Sequence, residues 1–104
     1  VSGIANITGG GITENIPRII PKHLAADIDL NSWKFPKAFQ WLQEKGKISN
    51  EDMLRIFNCG IGLVVILPIT EVKSFENLAG KYKFKTYRIG KIVKRTKAEL
   101  TYAN

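Results

Sequence analysis

A single cysteine, a single histidine and a single methionine are all that the 104 residues hold of those three residue types. Cys59 alone can form neither an internal disulfide nor a thiolate cluster for zinc. With His23 as the only imidazole, no histidine metal site and no cysteine–histidine pair can be assembled at ordinary spacings. The lone thiol fits a reducing, cytoplasmic setting, and Cys59 reads as a small, buried apolar side chain. No apolar run approaches the roughly 20 residues that cross a bilayer. The longest, 61–69, contains a Gly and a Pro and predicts a buried strand. Low-complexity tracts and internal repeats are absent and Pro and Gly are not in excess, so wholesale disorder is not expected. No basic, apolar leader opens the chain, and Val1 standing where an initiator Met would be leads us to expect a segment excised from something longer.

What is present is enough apolar material, 44% of residues, for the core of one small domain. The net charge of +7 is unevenly spread: residues 1–70 carry seven Lys/Arg against six Asp/Glu, and residues 71–104 carry nine against three. A basic tail of this kind suits an acidic partner or nucleic acid. Over 81–88, however, the charges alternate with Tyr82, Phe84 and Tyr87, the pattern of a half-buried strand with a solvated Lys face.

Local signals outline an α+β order of elements. Residues 3–8 predict a strand that runs into three glycines. Ile12, Ile16, Ile19 and Ile20 have helical spacing over a short helix at 13–20, limited by Pro17 and stopped by Pro21. Ala26, Ile28 and Leu30 alternate with Asp27 and Asp29, predicting a strand at 25–30 with one wet face. A helix is expected over 36–45, with Pro36 in its first turn, Phe35, Phe39 and Leu42 on one face, and Gly46 after its end. Ser49 and Asp52 have capping-box spacing and Ile48 and Met53 that of a hydrophobic staple, opening a helix to about Phe57. The Val/Ile-rich run 61–67 predicts a strand buried on both faces at the sheet centre. Thr70 is placed to cap a helix over 71–78 that Gly80 ends, and strands near 83–89 and 98–102 complete the order.

Two stretches carry chemistry. Thr8-Gly9-Gly10-Gly11-Ile12-Thr13-Glu14-Asn15 sets a glycine loop between a strand and a helix. Glycines let backbone approach a ligand, and free N–H groups at a helix start favour an anion such as phosphate. The loop matches neither the Walker loop, which needs a Lys after its last Gly, nor the dinucleotide fingerprint, and a plain tight turn satisfies the same residues. Glu14 and Asn15 could hold a metal or a substrate hydroxyl, or cap the helix. Arg18, one turn on, could fork onto phosphate or pair with a surface carboxylate. In the second stretch, from Phe57 to Gly62, Asn58 tolerates the left-handed conformation of a helix end.

Taken in order, Ile7-Thr8-Gly9-Gly10-Gly11-x-x-Glu14-Asn15-x-Pro17-Arg18, then Asp27 with Trp33, then Arg55-x-Phe57-Asn58-x-Gly60-x-Gly62, then Ile89-Gly90, the chain resembles the phosphoribosylformylglycinamidine cyclo-ligase family. The likeness covers nearly the whole chain and is poorest from Lys91. It implies a three-layer α/β/α domain with a mixed sheet, the C-terminal domain of a two-domain, homodimeric enzyme with ATP and Mg2+ as cofactors. It also implies closure of the imidazole ring: ATP activates the formamide oxygen of formylglycinamidine ribonucleotide by phosphorylation and the amidine nitrogen attacks, giving aminoimidazole ribonucleotide, ADP and phosphate. On this resemblance Thr8, Gly9, Gly10, Gly11, Glu14 and Asn15 line the groove between domains, Asn58 lies on the loop facing them, and the loop amides with Arg18 take the substrate phosphate. No nucleic acid and no membrane belong to the implied partners. The family commonly has His at the position of Asn6 and often at that of Ser2, so proton transfer there must differ. Its C-terminal domain begins with a strand and helix upstream of Val1, so residues 1–104 are expected to be one incomplete domain, inactive alone. Rival readings are superfamily synthetases sharing the two-domain plan, such as the amidine-forming synthetase and selenophosphate synthetase, and a basic nucleic-acid module using 81–97. The Phe57-Asn58-x-Gly60 stretch favours the cyclo-ligase over the relatives.

Overall fold

A computed structural model describes residues 2–103. Strand β1 (Gly3–Asn6) leads through the glycines into helix α1 (Gly11–Asn15), and a 3-10 turn at Pro17–Ile19 precedes strand β2 (Leu24–Asp29). Helices α2 (Lys37–Gly46) and α3 (Asn50–Ile56) follow, then strand β3 (Leu63–Ile66), a second 3-10 turn (Ile69–Glu71), helix α4 (Val72–Lys81) and strands β4 (Gly90–Lys94) and β5 (Leu100–Ala103). The class is the mixed α and β one that the element order predicted.

The strands form two sheets. β1 and β3 make an antiparallel ribbon with Gly3 opposite Ile66 and Asn6 opposite Leu63. In the second sheet β2 lies between β4, antiparallel to it, and β5, parallel to it. The core between these sheets and helices α1 and α3 is built on Ile12, Ile16, Met53, Leu54 and Cys59, all fully buried. Ala26, Ile28 and Trp33 extend it. Alternation in β1 follows the period of a strand, with Ala5 buried and Ile4 and Asn6 exposed.

Several sequence expectations need correcting. The run 61–67 is not a sheet centre buried on both faces: β3 covers only four residues, pairs with β1 alone, and leaves Leu63 54% exposed. The central strand is β2, and its alternation is as predicted: Ala26 and Ile28 are buried while Asp27 is half-buried and Asp29 exposed, and the Asp27 carboxylate accepts a hydrogen bond from the Thr101 hydroxyl on the neighbouring strand (3.2 Å). Residues 83–89 form no strand. Lys83 adopts a left-handed φ of 64° and the Phe84 amide turns back to the Ala79 carbonyl, so the chain stays irregular until β4. That strand starts at Gly90 because its backbone lies against β2, where a Cβ would sit 2.1 Å from the Asp27 carbonyl oxygen.

Helix ends shift for similar reasons. α1 starts at Gly11 rather than Thr13, and Pro17, lacking an N–H, opens a separate 3-10 turn. α2 runs through Gly46, and Lys47 takes the left-handed closing position while the Ile48 amide bonds the Gln43 carbonyl. Phe39 packs on the core but Leu42 is exposed. Thr70 caps nothing, since it sits inside a 3-10 turn, and α4 passes straight through Gly80. The last strand is shifted to Leu100–Ala103. The cap at Ser49 forms as predicted, its hydroxyl accepting from the Asp52 amide (3.2 Å). Among the described residues no helix is long and apolar enough to cross a membrane.

Candidate functional site

The glycine loop sits where β1 hands over to α1. Gly9 and Gly10 form the turn and Gly11 is the first helical residue. Gly10 and Gly11 have φ of 97° and 60°, the left-handed region that glycine enters without a Cβ penalty. The Gly11 amide is spent on the Thr8 carbonyl (2.9 Å), whereas among the described residues the Gly9 and Gly10 amides meet no acceptor. Two amides therefore remain directed away from the fold's own hydrogen bonds.

The loop is held from beneath by Asn15. Its buried carboxamide donates to the carbonyls of Gly11 (2.8 Å), Thr8 and Gly9 (3.3 Å each), and its oxygen accepts from the Arg18 guanidinium (3.3 Å). With every polar atom of Asn15 engaged, the residue fixes the shape of the loop and orients Arg18 beside it. Glu14 is exposed and curls over Gly10, its Cβ and Oε2 within 2.9 Å of where a Gly10 Cβ would stand. Thr8 and Asn6 are exposed on the same side of the chain as Ile4. Ser2, also exposed, donates its amide to the Ile66 carbonyl (2.8 Å).

Gly11 also brings the second stretch into the site. A Cβ there would lie 2.0 Å from the Leu54 carbonyl oxygen and 2.6 Å from that of Phe57, so the start of α1 abuts the end of α3. Asn58 follows directly and accepts the Gly60 amide on its side-chain oxygen (2.8 Å), turning the chain towards β3. Cys59, at φ 54°, is anchored by the Trp33 indole, which donates to its carbonyl (3.1 Å). Burial pushes the Cys59 thiol up to about 11. Asp27 and Trp33, noted in sequence only for their order, thus act in the scaffold. A link that no local pattern announces joins α1 to β5: the Thr13 and Tyr102 hydroxyls are 2.6 Å apart across 89 residues, and burial raises the Tyr102 pKa. Among the described residues no three His, Cys, Asp or Glu side chains converge.

The sequence profile of the family described as "AIR synthase related protein, C-terminal domain" matches residues 1–103. The chain belongs to that family. Among curated proteins it is 47% identical over 95 residues to a phosphoribosylformylglycinamidine cyclo-ligase of Neisseria meningitidis, an alignment covering 91% of this chain and 28% of that protein. The protein of the same name from Chromobacterium violaceum is 46% identical over 99 residues, covering 95% of this chain and 29% of the relative. One from Methylobacillus flagellatus is 47% identical over 92 residues, 88% of this chain and 27% of the relative. The chain therefore spans under a third of the length of these relatives.

Proposed function

We propose that this chain is the substrate-side part of an ATP-dependent cyclo-ligase that converts formylglycinamidine ribonucleotide to aminoimidazole ribonucleotide in purine biosynthesis. The observation that carries this reading is 46–47% identity to proteins of that name along 88–95% of the chain. ATP, with Mg2+, supplies the phosphoryl group that activates the formamide oxygen, and both are held by an N-terminal domain of the longer, homodimeric, cytoplasmic polypeptide. Residues of this chain bind and orient. The Gly9 and Gly10 amides donate to the substrate phosphate, Arg18 adds charge-assisted hydrogen bonds, and Glu14 and Asn58 border the bound nucleotide. Exposed Asn6 stands where imidazole is common in the family, so its amide can position a substrate group but cannot carry a proton at neutral pH. In the longer polypeptide the two sheets are parts of a three-layer domain.

An NMR titration with formylglycinamidine ribonucleotide tests the reading. The Gly9 and Gly10 amide signals should move, and millimolar ligand that leaves both unmoved removes the loop from the site. The purified 104-residue chain should hydrolyse no ATP and close no ring. Turnover by this chain, abolished by Gly10→Val, would place the whole active site within these residues.

The isolated chain should also self-associate. Among the described residues β1 and β3 each keep one unpaired edge, and large apolar side chains are bare, Ile69 88% and Trp41 59% exposed among them. Light scattering across a concentration series should show mass rising with concentration. A clean monomer at high concentration with a cooperative melt would refute this.

A further inference from the structure

Residues 77–98 hold eight Lys/Arg and no Asp or Glu. In the middle of that stretch the irregular segment 82–89 exposes three aromatic rings, Tyr82 by 66%, Phe84 by 71% and Tyr87 by 42%. Aromatic surface left in water is unfavourable, and three rings within six residues make a patch rather than scattered exposure. The rings border an apolar cleft of about 690 Å³ between α4, β3 and β4, and the cationic side chains of Lys85, Arg88 and Lys91 line the same cleft. Lys85 already uses an aromatic face, its Nζ lying 5.4 Å from the Tyr87 ring centroid. Among the described residues only Arg88 of this stretch has a carboxylate partner, Glu76 at 2.6 Å.

We propose that the face formed by Tyr82, Phe84 and Tyr87 with Lys85 and Lys91 binds single-stranded nucleic acid. Charge of one sign along an unpaired segment tracks a phosphate backbone, and open rings interleaved with it offer stacking surfaces for unpaired bases. A duplex offers phosphates but keeps its bases stacked on each other, so it uses the lysines and leaves the rings idle. The face is independent of the cyclo-ligase reading, because it involves none of the glycine-loop residues.

Fluorescence anisotropy with a labelled 12-nucleotide oligouridylate, a 12-base-pair duplex and heparin as competitors decides the matter. The single strand should bind more tightly than the duplex and resist heparin, with an affinity that falls as salt rises. Tyr82→Ala, Phe84→Ala and Tyr87→Ala should each weaken single-strand binding by roughly five- to a hundredfold while changing duplex binding little. Lys85→Gln with Lys91→Gln should weaken both. The substituted rings lie outside the core, and circular dichroism checks that each variant is folded. Should a ring variant misfold, quenching of tyrosine fluorescence by oligouridylate in the unaltered chain reads the stacking directly. No binding at 50 mM salt, equal affinity for strand, duplex and heparin, or ring variants that bind like the parent would overturn the proposal.

Discussion

Gly11→Ala should cost the fold about 3 kcal/mol or more, while Gly9→Ala, two residues away, leaves stability unchanged. A left-handed φ costs an L-residue about 1–2 kcal/mol. The new Cβ would also stand 2.0 Å from the Leu54 carbonyl oxygen, backbone that can retreat only by unseating α3. Overpacking of this kind adds about 1–3 kcal/mol. Against a total stability of about 5–15 kcal/mol for a domain of this size, the loss is a large share of the whole. At Gly9 a Cβ meets nothing within 4 Å. Urea melts of the two variants separate the positions, and equal midpoints would mean that α1 does not abut α3. The comparison also serves the site, because Gly9→Ala is a stable variant that crowds only the open side of the loop.

Cys59 should be close to inert in the folded chain. Its thiol is fully buried, donates to the Met53 carbonyl (3.4 Å), and is pushed from 9.0 up to about 11. A displacement of this size lowers the thiolate fraction by about a hundredfold near pH 8, before steric exclusion is counted. Iodoacetamide labelling should therefore be at least about a hundredfold slower in buffer than in denaturant. The same displacement fixes the direction of pH dependence. The folded state keeps the proton that the unfolded chain releases, so the stabilisation is complete below pH 9 and is lost as pH rises from 9 towards 11. Labelling at the unfolded rate in native buffer, or a melt that improves with pH across that window, would contradict the burial of Cys59.

How much was legible in the sequence differs by element. The Ser49 cap and the alternation around Ile28 are local rules in which neighbouring residues satisfy each other, and both are found in place. The identity of the central strand was not local. Val and Ile content marks a strand as apolar, but only pairing partners decide whether it lies inside or at an edge. β2, with Ala25 and Ala26, has small side chains and pairs along both edges, with β4 on one side and β5 on the other. The Lys/aromatic alternation in 81–88 matched a strand pattern, yet no second strand offers it a ladder. In the site, the glycine loop and its neighbour at Asn58 were visible as motifs. The buried carboxamide of Asn15 was not, because sequence assigns a residue its chemistry but not which of its atoms are already engaged.

β2 and β5 are parallel neighbours whose paired residues Asp27 and Thr101 lie 74 positions apart. On a ribosome adding 5–20 residues each second, β2 waits roughly 4–15 s before its second flank exists. Throughout that interval a strand carrying Ala25, Ala26 and Ile28 presents bare backbone to whatever is near it. Stalled nascent chains ending before Leu100 should accordingly remain open to protease, and closure should arrive late and in one step as the final strand emerges.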